Sequence, residues 1–210
     1  MHSKLYPQTF LNIAGGKHIP EEILQTEGEY FAVHLDRSYH EYICKSQGFI
    51  ESLYLNEKMF DIHCRQKDNF DNYCNEDIFE YLGSNLIPFD KVFVYRFLEH
   101  IHRDEILTFI YLLSTVTSPG DEVEVIVPNM NDLFKLHEKL DVENKDFQYD
   151  YITLTTELFN EPMDPHKSMW TPDLVKYFWT LEKRFMITQL KESFEFDGRD
   201  IYMKFIAERI

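Results

Sequence analysis

Short apolar runs alternate with longer amphipathic stretches along this chain, which is the pattern of an α/β fold. "TFLNIA" (9–14) predicts a short strand that runs into Gly15-Gly16, and "YFAVHLD" (30–36) a second strand that ends at Asp36. Residues 38–66 have mixed helical spacing and predict one or two helices, followed by a polar, turn-rich loop at 67–77. "DIFEYLGSNL" (77–86) predicts a short helix with Asp77 as its N-cap.

The strongest segment follows. "FDKVFVYRFL" (89–98) is a continuous apolar run rich in β-branched and aromatic residues, which suits a strand buried on both faces. Ile106, Ile110 and Leu113 fall at helical spacing within 102–121, and Pro119-Gly120 ends that helix. A strand at 122–129 and a helix at 130–140 come next, then a long Pro- and Met-bearing loop up to Trp170. Thr171-Pro172 opens a helix over 171–185, because Pro is favoured at the first helical position. Two closing strands are joined by Asp197-Gly198, a strong hairpin signal. The prediction is one domain over 1–210: a doubly wound, Rossmann-like, mostly parallel sheet with an antiparallel C-terminal hairpin.

Composition narrows the partners. The chain is 44% hydrophobic, enough for a real core. Its net charge of −16 opposes phosphate backbones and anionic membranes, so neither nucleic acid nor a membrane surface is expected. No apolar run reaches membrane-spanning length. Cys44, Cys64 and Cys74 are odd in number and lack a C-x-x-C pair, which reads as reduced thiols and a cytoplasmic location. His2, His18, His34, His40 and His63 show no metal-ligand spacing, so no metal site is expected.

The candidate chemistry starts at Ala14-Gly15-Gly16. A strand that turns through glycines lets backbone N–H groups approach a ligand closely, and Asp36 lies about 20 residues on, where a carboxylate can accept from ribose hydroxyls. Alone this is a turn. The later pieces fall in order: "LNIAGGKH", "VHLDRS", "NEDIFEYL", "FDKVFVYRFLEHIHRDEI" and "TSPGDEVEVIVPN".

This order resembles the class I S-adenosylmethionine-dependent methyltransferases, in particular the broad methyltransferase-11-like group. Leu98-Glu99-His100 at the end of the fourth strand and Pro119-Gly120 before the fifth match that group as they stand. Motifs cover roughly 9–130, the cofactor-binding half; residues 131–210 match by layout. The resemblance implies a seven-stranded sheet and S-adenosylmethionine as cofactor, with S-adenosylhomocysteine as product. It implies that Ala14, Gly15 and Gly16 surround the methionine moiety, that Asp36 binds the ribose, that Asp77 and Ile78 lie by the adenine, and that Arg96 lies near the sulfonium. Two positions depart from the group. Asn12 stands where an acidic residue is usual, and its amide carbonyl can still accept from the cofactor's ammonium. Ala14 stands for the first loop glycine, a costly replacement if that position needs positive φ.

Methyl transfer from a sulfonium is an in-line displacement, and an oxygen nucleophile needs a base. His100, at the carboxyl end of a central strand, and His166, in "NEPMDPHKSMW" (160–170), are the candidates. That loop, with Glu161, Asp164 and Trp170, reads either as a substrate lid or as a surface loop whose Trp enters the core. The fourth strand ends in "RFLEH" where base-methylating enzymes carry Asp/Asn-Pro-Pro-aromatic, which disfavours DNA bases and leaves a small molecule, a sugar, a lipid headgroup or a protein side chain open; a small or sugar-like acceptor is expected. One alternative is a methyltransferase-fold protein without catalysis that serves binding or assembly, favoured by Ala14 and the long middle insertion. Another is a nucleotide-sugar or dinucleotide enzyme, against which Leu98-Glu99-His100 argues.

Overall fold

The alternation along the central strands decides the architecture. In β1 (Gln8–Ile13), Leu11 and Ile13 belong to one buried cluster and Phe10 to another. In β4 (Lys91–Tyr95), Val92 and Val94 join the first cluster, Phe93 and Tyr95 the second. A strand whose two faces are both apolar must be covered on both sides, which is the parallel α/β solution. The two faces differ in chemistry. One is mainly aliphatic, packed under α3 and α5; the other carries rings, with Phe10, Phe93, Tyr95 and Tyr202.

This computed structural model describes residues 8–14, 20–26, 30–35, 70–74, 77–85, 88–138, 166–196 and 198–210. Their elements run β1, α1 (Glu21–Gln25), β2 (Tyr30–Leu35), β3 (Phe70–Cys74), α2 (Ile78–Ser84), β4, a 3-10 turn (Leu98–His100), α3 (Ile106–Thr115), β5 (Glu122–Pro128), α4 (Met130–Glu138), α5 (Pro172–Glu182), β6 (Phe185–Phe196) and β7 (Arg199–Arg209). They build a seven-stranded sheet in the order β3-β2-β1-β4-β5-β7-β6. The pairs from β3 through β5 are parallel, whereas β7 runs antiparallel to both β5 and β6. The order reverses direction between β1 and β4, and open sheets bind ligands outside the strands' carboxyl ends at such a point.

The α/β body and the antiparallel hairpin agree with the sequence pattern. So do Thr171, whose side chain accepts from Leu174 N with Pro172 following it, and Gly198, at φ 77° in the hairpin turn. The segment 67–77 is corrected: it is not all loop, since Phe70–Cys74 form β3 in register with Phe31–Leu35. Asp and Asn suppressed the strand reading, but β propensity yields to the ladder that a neighbouring strand offers. The helical reading of 38–66 lies outside the described residues. No described helix is long and apolar enough to cross a membrane.

Candidate functional site

The candidate site is the carboxyl edge of β1, β2 and β4. Asn12, the penultimate residue of β1, is 2% exposed and lies in register with His34 of β2. Its Nδ2 is 3.1 Å from His34 Nδ1. An amide nitrogen only donates, so His34 Nδ1 accepts, and a neutral His34 then carries its proton on Nε2. The pair fixes the plane of the Asn12 amide.

Two residues further, Ala14 has φ 55° and donates its N–H to Leu35 O at 2.9 Å. This is the left-handed conformation that glycine enters freely and that costs alanine about 1–2 kcal/mol. The backbone turn that a glycine would make is therefore made here at a cost. Gly15, Gly16 and Asp36 lie outside the described residues.

Asp77 heads α2 as expected, its Oδ1 accepting from Phe79 N at 2.9 Å and Glu80 N at 3.2 Å. The carboxylate is exposed and offers its other oxygen to solvent or ligand. Ile78 is half-buried and packs against the aliphatic cluster.

β4 ends abruptly because Arg96 also takes positive φ, 53°, while its N–H donates to Ile126 O at 2.8 Å. Its guanidinium lies 5.8 Å from the centroid of the Tyr202 ring. The chain then tightens into the 3-10 turn, which buries Glu99 to 1% exposure.

The turn is stitched to the far segment 166–170. Glu99 O accepts from Lys167 N at 2.7 Å and Ser168 N at 3.1 Å. Ser168 Oγ donates to Leu98 O at 2.7 Å and accepts from Trp170 Nε1 at 3.0 Å. These bonds bring His166 onto His100, ring centroids 4.9 Å apart and planes at 82°. Ligating atoms of Glu99, His100 and His166 all lie within 4.8 Å of one another. Trp170 is a core residue, 1% exposed and edge-on to Trp179. Of the two readings of residues 160–170, its own place is therefore the core; Glu161 and Asp164 lie outside the described residues.

Of the sequence candidates, the structure thus brings Asn12 and Ala14 together, and separately His100 and His166, with Arg96 between them in chain and sheet order. Spacing arguments missed Glu99 as a buried carboxylate facing His166. They also missed the partners of Glu124 on the ring-bearing face. Tyr95 OH donates to Glu124 Oε1 at 2.6 Å, and Lys204 Nζ meets the same oxygen at 2.7 Å. Burial, then the Glu124 charge and hydrogen bond, push the Tyr95 phenol far above its usual range. Burial works to lower the pKa of Lys91, but hydrogen bonds and charge from Glu22 and Glu122 outweigh it and raise the ammonium.

No protein-family model matches this chain, and no curated protein does. Solved structures do. An S-adenosylmethionine-dependent methyltransferase of Methanosarcina mazei superposes with a TM-score of 0.58 at 19% identity, covering 96% of this chain and 92% of that one. One of Archaeoglobus fulgidus gives 0.55 at 16%, covering 96% and 86%. The magnesium protoporphyrin IX methyltransferase of Synechocystis, solved with bound S-adenosylhomocysteine, gives 0.53 at 10%, covering 96% and 73%. The fold is that of the class I S-adenosylmethionine-dependent methyltransferases.

Proposed function

We propose that the protein transfers a methyl group from S-adenosylmethionine to a hydroxyl of a small or sugar-like acceptor. The observation that carries this reading is the left-handed turn at Ala14 beside the oriented Asn12 amide, at the point where the sheet order reverses. The residues fit the cofactor. Ala14 with Gly15 and Gly16 would surround its methionine part, and Asn12 would accept from its ammonium. Asp36 would bind the ribose, and Asp77 and Ile78 would border the adenine. Arg96 would lie toward the reacting end.

When bound, the cofactor supplies an electrophilic methyl on sulfur. The protein's task is to hold the acceptor oxygen in line with it and to take up the hydroxyl proton. His100 or His166 would accept that proton at an imidazole nitrogen as the new carbon–oxygen bond forms. The electron pair of the broken bond stays with sulfur. The likeness in fold to methyltransferases supports methyl transfer, and the net charge of −16 supports an acceptor other than nucleic acid.

Calorimetric titration with S-adenosylmethionine and S-adenosylhomocysteine tests the reading. Binding of both is expected, with a melting temperature that rises with ligand concentration. Asp36→Ala should weaken both by about tenfold or more, the worth of a charge-assisted hydrogen bond. Absence of any response to either compound would overturn the reading.

A further inference from the structure

We propose that Glu99, His100 and His166 form a binding site for a borderline divalent metal ion of the zinc, cobalt or nickel kind. Three observations converge. The donor set is two imidazoles and one carboxylate, with ligating atoms within 4.8 Å of one another. A bound ion with bonds near 2.1 Å holds its ligand atoms about 3–3.5 Å apart, so modest side-chain rotation closes the set. Secondly, the backbone is already fixed: Lys167 and Ser168 donate to Glu99 O, and Ser168 Oγ holds Leu98 O, so His166 is delivered to the turn by bonds that no ion supplies. Pre-organisation of this kind is what a precise site requires. Thirdly, Glu99 and His166 both line a cavity of about 10 Å³ together with Ser168 and Trp170, room for about one water or ion.

The donor chemistry selects the ion. Imidazole suits zinc, cobalt and nickel better than calcium, magnesium or manganese, which prefer oxygen. Glu99 is 1% exposed, and a buried carboxylate beside two histidines gains from a cation far more than a surface one does. Three protein ligands leave positions open for water or for a substrate oxygen. On the methyl-transfer reading, on which this clause alone rests, an acceptor hydroxyl bound there would ionise more readily, its proton leaving to water rather than to an imidazole.

The test uses the full chain, stripped with a chelator and free of methyl donor. It is titrated with Zn²⁺ by calorimetry and with Co²⁺ by visible absorption. A single ion per chain is expected, with Co²⁺ ligand-field bands of a low-coordinate nitrogen–oxygen site. His166→Ala and Glu99→Gln should each weaken Zn²⁺ by at least about tenfold, the lower bound known for merely supporting partners. His137→Asn, on α4, should leave the affinity unchanged. Should Glu99→Gln fail to fold, His166→Ala and His100→Gln carry the test, since both histidines are half-buried. A folded wild type that takes up no Zn²⁺, or a His166→Ala variant that binds as wild type does, overturns the proposal. Methyl-donor titration of the same samples separates the two ideas: donor binding without metal binding sinks this site alone, and metal binding without donor binding sinks the methyl-transfer reading alone.

Discussion

His100 and His166 meet edge to face, 4.9 Å between ring centroids, although one closes the 3-10 turn after β4 and the other precedes the last helix. Ser168 is the pin of that joint, bonded at once to Leu98 O and Trp170 Nε1. Ser168→Ala strips two part-buried groups of their partner, and each such loss costs about 1–3 kcal/mol. An unfolding free energy lowered by at least about 1 kcal/mol is expected, read as a lower urea midpoint. An unchanged midpoint would show that the joint holds without the hydroxyl.

Ala14 provides a direct measure of backbone strain. Ala14→Gly removes a left-handed penalty of about 1–2 kcal/mol and gives back about 0.4–1 kcal/mol in unfolded-chain entropy. Stability should therefore hold level or rise by up to about 1.6 kcal/mol. Ala14→Val, β-branched at φ 55°, should fall by more than about 1 kcal/mol. A valine tolerated at no cost would mean that the turn is not left-handed in solution.

Asn12 and His34 form a buried pair, 2% and 3% exposed. Asn12→Leu keeps the shape and removes the donor that faces His34 Nδ1. A loss of about 1–3 kcal/mol is expected in denaturant, together with weaker S-adenosylmethionine binding by calorimetry. Stability lost with cofactor affinity intact would assign Asn12 to the sheet alone.

The Tyr95–Glu124 contact sets the alkaline limit. Both Tyr95 and Lys91 have folded pKa values raised above the unfolded ones. A raised pKa favours the protonated folded form, so this stability is fully present below about pH 10 and is lost as the pH climbs beyond it. Melting temperature should fall steeply above about pH 10. Tyr95→Phe should be less stable at neutral pH, by about 1.5–3 kcal/mol for a hydrogen bond to a charged group, and should show a shallower alkaline fall. Parallel alkaline profiles for the two proteins would remove Tyr95 as the cause.

The parts of the fold legible in the sequence are those governed by near neighbours. Thr171-Pro172 announced α5 and Asp197-Gly198 the hairpin, because caps and turns are decided within a few residues. The positive φ of Ala14 was legible only as a condition, through the resemblance that puts a glycine at that position. What escaped depends on distant partners. β3 owes its ladder to β2, and "FDNYC" carries polar residues that locally favour a turn. Glu99 entered the sequence reading only as part of Leu98-Glu99-His100, and no local pattern encodes its meeting with residues 166–170.

The placement of β7 has a consequence for the order in which the molecule assembles. Tyr202, Met203, Phe205 and Ala207 are wholly enclosed, and β7 separates β5 from β6. Until residues 199–209 are synthesised, β5 ends in a row of unsatisfied amides and carbonyls flanked by valines, an inviting template for a second chain. The sheet therefore closes from its centre only when its last strand arrives, a long-range event that slows folding and lengthens exposure to aggregation. β6 then becomes the edge in its place, and its register shifts and its Lys191, Glu192 and Glu195 make it a poor template for a further strand.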